Sequence, residues 1–180
     1  WLGTFHSISV KFLRRHAEAL GLKSNFTILD TDDQKKLVRK IVKAENLDAK
    51  KFSSQLILYH IDQWKNKGIL PADVKIEKSG TIIKSVFKVY EIYQKKTKDL
   101  NAFDFGDLIL FCVKIFEEHK DIREIYQNNF RYILVDEFQD TNFIQNKWLN
   151  LLVNEKQNIC CVGDDDQSIY SWRGAEIKNF

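Results

Sequence analysis

The stretch RYILVDEFQDTNFIQ, residues 131–145, decides the fold of this chain because its apolar run ends abruptly in a group of acids. Residues 131–136 predict a strand, and residues 142–154 have the periodicity of an amphipathic helix. A second apolar run, NICCVG at 158–163, predicts another strand. Strand, helix and strand within about 30 residues predict a parallel βαβ unit. Because both runs are continuously apolar, we expect both strands to be covered on both faces.

Acidic and amide side chains follow both predicted strands. Asp136 and Glu137 end the first strand, and the run DDDQ at 164–167 follows the second. Ligands of open α/β sheets bind beyond the carboxyl ends of the strands, where Mg²⁺ bridges carboxylates to phosphate oxygens. A second carboxylate can orient or deprotonate an attacking water, and an amide can sense the transferred phosphate. In the alternative interpretation the acids cap the following helix, as we expect for residues 140–142.

The chain before residue 126 is predicted to be mostly helical. Apolar residues recur at helical spacing, with Ser, Thr or Asp at the starts and Gly at several ends. The predicted helices are 8–20, 31–46, 53–68, 81–97 and a fifth that starts at about Asp107. The predicted fold class is therefore α/β, with a mostly helical portion and a short parallel sheet.

The three cysteines, Cys112, Cys160 and Cys161, lie in apolar stretches and lack the spacing of a metal site. An odd number of cysteines in such surroundings favours buried free thiols over disulfides or metal ligands. No apolar run approaches the ~18 residues that span a bilayer. We therefore expect no membrane association and a cytoplasmic location.

Charge is distributed unevenly along the chain. Residues 1–98 have a net charge of +10, and residues 99–180 have a net charge of −7. A basic half beside an acidic half indicates one surface for a polyanion and another for a cation. The alternative interpretation, in which the lysine-rich helices are simply solvated, stays open on composition alone.

Five stretches resemble motifs of superfamily 1 DNA helicases of the UvrD/Rep/PcrA type. LVDEFQDTN and VGDDDQSIYSWRGA resemble motifs II and III, and GTFHS at 3–7 resembles motif Ib. ILDTDDQ at 28–34 and FDFGDLIL at 103–110 are similar to other recurrent stretches of that family. Gly106 stands where many members of the family carry aspartate, which argues against a DNA or metal role for that loop. Asp107, in the same loop, is expected to cap a helix. DEFQDT together with GDxDQSIYxWRGA is highly specific.

The resemblance implies three segments. Residues 1–7 belong to a RecA-like (P-loop NTPase) domain and carry motif Ib, residues 8–125 form an inserted helical subdomain, and residues 126–180 form a RecA-like βαβ segment with motifs II and III. The phosphate loop GxxxxGK[ST] does not occur in the sequence, so the parallel sheet is expected to be incomplete. By the resemblance, that loop precedes Trp1, and a second RecA-like domain follows Phe180.

The resemblance also implies an ATP-driven motor that unwinds duplex DNA by moving 3′→5′ on single-stranded DNA. Asp136 would bind Mg²⁺, Glu137 would activate the hydrolytic water, and Gln167 would contact the γ-phosphate of ATP. Polar donors suit the DNA phosphates, and aromatic rings stack on bases at ~1–3 kcal/mol each. The residues expected to contact DNA are Thr4, Phe5, His6, Ser7, Tyr170, Trp172 and Arg173.

Under this interpretation the remaining helicase domains act in cis, and the DNA partner is a single strand at a duplex junction. The setting would be DNA repair or replication on the bacterial nucleoid, and the 180 residues alone are expected to hydrolyse no ATP. Two alternatives stay open. A metal-dependent nuclease would use Asp136, Glu137 and Asp164–Asp166 as a two-metal site, and a noncatalytic DNA-binding module would keep the motifs as remnants.

Overall fold

The computed structural model describes residues 1–75 and 80–167. Three residues that are predicted to contact DNA lie outside the described residues: Tyr170, Trp172 and Arg173. The described helices are α1 (Phe5–His16), α2 (Thr31–Ala44), α3 (Ser54–Asn66), α4 (Thr81–Asp99), α5 (Phe105–Glu118), α6 (Lys120–Asn129) and α7 (Phe143–Leu152). The described strands are β1 (Thr27–Ile28), β2 (Ala102–Phe103), β3 (Ile133–Val135) and β4 (Ile159–Cys161). The predicted α/β class with a mostly helical portion is confirmed.

Polar side chains start five of these helices. Each accepts a hydrogen bond from the backbone N–H three residues later, a donor that has no partner inside the helix. The capping residues are Thr4, Asp30, Ser53, Asp104 and Asn142. Helix α5 begins at Phe105, two residues before its predicted start, because Asp104 and Asp107 form a reciprocal capping box.

The helices pack into two hydrophobic cores. In the first core, α1, α5, α6 and α7 meet around Phe12, Phe116 and Trp148. In the second core, α2, α3 and α4 meet around Val38 and Tyr93. Each core forms because the apolar residues of its helices recur on one face. Within the described ranges, no helix is long and apolar enough to cross a membrane.

Strands β3 and β4 are parallel neighbours. Ile133 lies opposite Ile159, and Val135 lies opposite Cys161. Helix α7 connects the two strands, so the predicted βαβ order is confirmed. Both strands end at the same edge, and the acidic residues that follow them are therefore brought together.

One face of this strand pair is open. Val135 packs against α7 in a third, small core, whereas Leu134 is 81% exposed. The prediction that both strands are covered on both faces is therefore wrong. Successive strand residues point to opposite faces, and the described part of the chain supplies a helix on only one of them. Cys160, which lies opposite Leu134, is exposed on this open face, and Cys161 is exposed as well. The prediction of buried thiols is therefore wrong for both, although Cys112 is buried and all three cysteines are free.

A second parallel pair was not predicted from the sequence. Strand β1 pairs with β2, with Thr27 opposite Ala102 and Ile28 opposite Phe103. Strands of two residues are too short to show any alternation of apolar and polar residues. This pair joins the segment that leads into α2 to the segment that leads into α5.

Candidate active site

The turn after β3 presents the two predicted catalytic acids. Asp136 and Glu137 are both exposed, and Asp136 Oδ1 accepts a hydrogen bond of 2.9 Å from the Glu137 N–H. Glu137 has left-handed backbone angles, φ 54° and ψ 41°, so the chain turns sharply at this residue. The N–H of Phe138 then donates to the carbonyl of Val162 at 3.0 Å, which ties the turn to the residue after β4.

Hydrogen bonds connect Glu137 to Gln167 through two intermediate residues. Gln139 Nε2 donates to Glu137 Oε2 at 2.6 Å, and Gln139 Oε1 accepts from the Asp164 N–H at 3.1 Å. Gln167 Nε2 donates to Asp164 Oδ2 at 2.7 Å. The structure therefore joins the acid that follows β3 to the amide that follows β4.

The capping alternative does not account for Asp136 and Glu137. Asn142 caps α7 and forms a reciprocal capping box with Gln145, so the capping role expected within residues 140–142 belongs to Asn142. The 3₁₀ turn Phe138–Asp140, which directly follows Glu137, has no side-chain cap. The Glu137 carboxylate is therefore not used to start a helix.

The segment with motif Ib forms the start of α1. Thr4 Oγ1 accepts from the Ser7 N–H at 3.2 Å, and Ser7 Oγ donates to the Thr4 carbonyl at 3.0 Å. Both residues are exposed. Phe5 turns the other way, because its ring packs against Trp148 with the ring centroids 5.9 Å apart. The structure thus gives Phe5 a packing role, while Thr4 and Ser7 face outward.

His6 and Phe105 form an aromatic pair beside this segment. Their rings meet edge to face with centroids 5.6 Å apart. Phe105 begins α5 and is 48% exposed. Burial lowers the pKa of His6, so its ring is neutral at pH 7.

A cavity of about 560 Å³ lies between the start of α1 and the turn after β3. Thr4 and His6 line it on one side, and Asp136 and Glu137 line it on the other. The structure therefore brings the predicted DNA segment and the predicted catalytic acids to the same cavity, although helices α1 to α6 separate them along the chain.

Two buried polar atoms belong to residues in the wall of this cavity. Asp140 Oδ1 and Trp148 Nε1 have no hydrogen-bond partner among the described residues. Buried polar atoms in folded proteins almost always have a partner. These two atoms are therefore exceptions to that rule among the described residues.

Asp136 and Glu137 fit a magnesium ion that is shared with a phosphate. Mg²⁺ prefers oxygen ligands, keeps several waters and usually takes only one or two protein carboxylates. Within residues 1–75 and 80–167, no three His, Cys, Asp or Glu side chains are grouped so that they could hold a metal ion. Asp136 and Glu137 are the residues here that could supply carboxylate oxygens to such an ion.

A second acid pair lies in the protein interior. Lys65 Nζ is 2.6 Å from Asp104 Oδ2 and 2.7 Å from Asp107 Oδ1, and all three side chains are buried. Tyr93 OH donates to Asp104 Oδ2, and Gln94 Nε2 donates to Asp107 Oδ1, each at 2.9 Å. We call these five residues the Lys65 cluster. It ties α3 and α4 to the start of α5.

One lysine neutralises only one of the two carboxylates in this cluster. Although burial by itself raises the pKa of an acid, the Lys65 ammonium holds the pKa of Asp104 below its ordinary value. Burial and the charge of Asp104 raise the pKa of Asp107 to about 6. Burial acts to lower the pKa of Lys65, but the two carboxylates outweigh it and raise that pKa.

Gly106 makes room for Lys65. A Cβ atom at this position would lie 2.9 Å from Lys65 Cδ and 3.2 Å from Lys65 Cβ, closer than normal contact. The predicted capping role of Asp107 is confirmed. Because the carboxylates of Asp104 and Asp107 are used by the helix start and by Lys65, this loop offers no free acid to a metal.

Sequence reasoning did not single out Gln139, Phe105 or Lys65. Gln139 is an amide inside an acidic run, which was a signal for a bridging role. Lys65 follows Ile57 and Ile61 at intervals of four, which places it on the buried face of α3. The exposure of Phe105 had no sequence signal, because an isolated aromatic residue at the start of a helix can be either buried or exposed.

The comparisons with known proteins agree with the motifs. The model of the UvrD/REP helicase N-terminal domain matches residues 1–180. The chain is 47% identical over 181 residues to a probable DNA helicase II homolog of Rickettsia conorii, covering 99% of this chain and 28% of that protein. It is 46% identical over 182 residues to the DNA helicase II of Rickettsia typhi, with the same coverage. It is 44% identical over 179 residues to the ATP-dependent DNA helicase PcrA of Staphylococcus aureus, covering 99% of this chain and 24% of PcrA.

The chain spans about a quarter of the length of the curated relatives it matches. Its similarity to them nevertheless covers nearly every residue, from GTFHS through the acids after β3 to the last motif. The resemblance drawn from LVDEFQDTN and VGDDDQSIYSWRGA is therefore confirmed. This chain belongs to the family of the UvrD/REP helicase N-terminal domain.

Proposed function

We propose that this chain is part of an ATP-dependent DNA helicase in which Asp136 and Glu137 hold and hydrolyse the nucleotide and Gln167 senses it. The observation that carries this proposal is the hydrogen-bonded path from Glu137 through Gln139 and Asp164 to Gln167. It connects a candidate base and a candidate sensor at the carboxyl edge of one sheet, where α/β proteins bind phosphates. Relatives named DNA helicase II and ATP-dependent DNA helicase PcrA support it.

Each acid has a separate role in this proposal. Asp136 would hold Mg²⁺, which neutralises charge on phosphate oxygens when it is bound. The Glu137 carboxylate orients the attacking water and accepts its proton. Gln167 uses its amide N–H groups to detect the γ-phosphate of ATP, and in the structure those groups are within reach of Asp164.

The remaining parts of the motor are proposed to lie in the same polypeptide. Residues 1–7 and 126–180 would belong to its first RecA-like domain, and residues 8–125 would form the inserted helical subdomain. The phosphate loop and a second RecA-like domain would complete the ATP site. We refer to this larger protein as the complete polypeptide. We propose that it acts on nucleoid DNA in the cytoplasm during repair or replication. Residues 1–180 alone are expected to hydrolyse no ATP.

The test of the ATPase role is the variant Glu137→Gln in the complete polypeptide. Removal of a general base is expected to lower kcat for DNA-stimulated ATP hydrolysis by ~10²–10⁴-fold, with little change in the KM for ATP. Glu155→Gln is the matched control, because Glu155 is exposed in the loop before β4. A Glu137→Gln variant with the kcat of the wild type would refute the proposal.

The DNA track is proposed to run past the start of α1. Thr4 and Ser7 face outward there, and the N-terminus of a helix attracts the negative charge of a phosphate. The exposed ring of Phe105, which is braced by His6, gives a base a surface for stacking. By the family resemblance, Tyr170, Trp172 and Arg173 would contact the same strand.

The test of this track is the affinity of the complete polypeptide for single-stranded DNA, measured by fluorescence anisotropy. Loss of one stacking surface in Phe105→Ala should weaken binding by about 5- to 100-fold. Tyr59→Ala is the matched control, because Tyr59 is also an exposed aromatic residue but lies on α3 away from the cavity. Equal affinities of the two variants for single-stranded DNA would show that Phe105 does not contribute to DNA binding.

Direction and duplex binding are further parts of the proposal. We propose movement 3′→5′, so a duplex with a 3′ single-stranded tail should be unwound and one with a 5′ tail should not. Exposed lysines on α2 and α4, among them Lys40 and Lys95, would contact the duplex phosphates. Such contacts make the affinity fall steeply with salt.

The alternatives are outcomes of the same experiments. A nuclease with a two-metal site would cleave DNA with Mg²⁺ and no nucleotide. It is disfavoured because it gives no role to Gln167 at the end of the hydrogen-bonded path, and because the relatives that support the proposal are named DNA helicases. A noncatalytic module would bind single-stranded DNA but show no ATP hydrolysis in the complete polypeptide.

A further inference from the structure

Gln139 is buried between the two motifs that form the candidate site. It is 1% exposed, although both neighbouring acids, Asp136 and Glu137, are exposed. Its amide group spans from the Glu137 carboxylate at 2.6 Å to the Asp164 N–H at 3.1 Å. Both ends of the amide are therefore in use, and they hold segments that follow different strands.

The chemistry of its two partners fixes the orientation of this amide. A carboxylate only accepts hydrogen bonds and a backbone N–H only donates them, so a flipped amide would place oxygen against oxygen and nitrogen against nitrogen. The donors also run in one direction: Gln167 donates to Asp164, the Asp164 N–H donates to Gln139, and Gln139 donates to Glu137. Within the conjugated amide of Gln139, the hydrogen bond that its oxygen accepts and the one that its nitrogen donates strengthen each other.

We propose that Gln139 is a positioning residue that orients the Glu137 carboxylate for hydrolysis and makes this orientation depend on the turn that carries Gln167. The inference rests on the proposed ATPase function and extends it. When the turn of Asp164 moves, the oxygen of Gln139 would follow the Asp164 N–H, its hydrogen-bond partner at 3.1 Å. The amide nitrogen then shifts against Glu137. A change sensed at Gln167 thus reaches the base.

The alternative is a purely structural role, in which Gln139 fills space and satisfies the Glu137 carboxylate and the Asp164 N–H. Gln127 offers a control, because its amide also holds a distant segment, here the end of α7, against the helix α6 that carries it. Gln127 Nε2 donates to the carbonyls of Leu151 and Val153 at 2.9 and 3.1 Å, away from the candidate site. Both Gln127→Leu and Gln139→Leu lose a bridging amide, but only the second should change catalysis.

The first experiment is steady-state ATP hydrolysis by the complete polypeptide with and without single-stranded DNA. Gln139→Leu should lower kcat by about 10- to 100-fold, as changes behind an active residue commonly do, with the KM for ATP nearly unchanged. The ratio of DNA-stimulated to basal rate should also fall. Gln127→Leu should lower only the melting temperature. A folded Gln139→Leu variant with the kcat and the DNA ratio of the wild type would overturn the inference.

The second experiment uses Gln139→Glu and does not depend on the leucine variant being folded. A glutamate would place a second carboxylate against Glu137, and two acids at this distance share a proton. The rate of this variant relative to the wild type should therefore rise as the pH falls from 8 to 6. A ratio that stays constant with pH would contradict the positioning role. A complete wild-type polypeptide that hydrolyses no ATP would instead refute the proposed function, and the inference that rests on it.

Discussion

Two pairs of acids, one in the interior and one at a sheet edge, differ in how their charge is balanced. Asp104 and Asp107 are buried, and Lys65 lies within 2.7 Å of both. Asp136 and Glu137 are exposed and line a cavity, and their side chains bond to a backbone N–H and to the neutral amide of Gln139. The interior pair has its cation within the fold, whereas for the edge pair none of the described ion pairs supplies one.

This difference predicts different roles for the two pairs. A buried charge is tolerated only when it is paired, so the Lys65 cluster must be complete for α3, α4 and α5 to pack. An exposed acid pair costs little in water and keeps its oxygens available to a ligand. We therefore expect substitutions in the interior pair to change stability, and substitutions in the edge pair to change nucleotide hydrolysis.

The largest expected effect is that of Lys65→Met. This change leaves two carboxylates buried without a cation and should lower the free energy of unfolding by about 3–5 kcal/mol. Lys95→Met is the control, because Lys95 is exposed on α4, and a substitution at such a surface position should change stability by less than about 0.5 kcal/mol. Urea unfolding followed by circular dichroism measures both. Equal midpoints for the two variants would show that the buried pair needs no lysine.

A more direct comparison makes the same change in each pair. Asp104→Asn removes the charge that faces Lys65 and an acceptor used by Tyr93 OH, so it should cost about 3 kcal/mol of stability. Asp136→Asn should cost less than about 0.5 kcal/mol, because Asp136 is exposed and an asparagine oxygen can still accept the Glu137 N–H. Its effect should appear in ATP hydrolysis by the complete polypeptide. Similar stability losses in the two variants would contradict the distinction between the pairs.

The smallest expected effect is a dependence of stability on pH. The pKa of Asp107 is raised from 3.8 to about 6 in the folded chain. Its contribution to stability is therefore fully present below about pH 4 and is lost as the pH rises through about 6. The stability of the wild type relative to Asp107→Asn should fall by about 1–2 kcal/mol between pH 4 and pH 7. Urea unfolding of both proteins at each pH measures this difference. A difference in stability that stays constant or rises with pH would contradict the raised pKa of Asp107.

Local signals in the sequence were sufficient for most of the helices and for the acidic edge. Ser53 and Asp30 start α3 and α2 near their predicted positions, because a cap depends only on residues within one turn. The position of Asp136 and Glu137 after β3 followed from the abrupt end of an apolar run. These features are determined by neighbours in the chain, so one sequence is enough to predict them.

Features that depend on distant residues were not predicted. Lys65 is buried only because Asp104 and Asp107, from another helix, reach the same place. The bridge by Gln139 requires the turn after β4 to lie beside the turn after β3. The exposure of Cys160 depends on which layers cover the sheet. In each case the deciding partner is far away along the chain, and no local pattern reports it.

The left-handed backbone of Glu137 has an evolutionary consequence. Most L-residues lose about 1 kcal/mol in this conformation, whereas glycine adopts it without cost and asparagine tolerates it well. Glycine at position 137 would relieve this strain, but it would also remove the carboxylate that accepts from the buried amide of Gln139. Backbone strain of this kind is retained where a side chain is needed, so we expect position 137 to resist replacement by glycine.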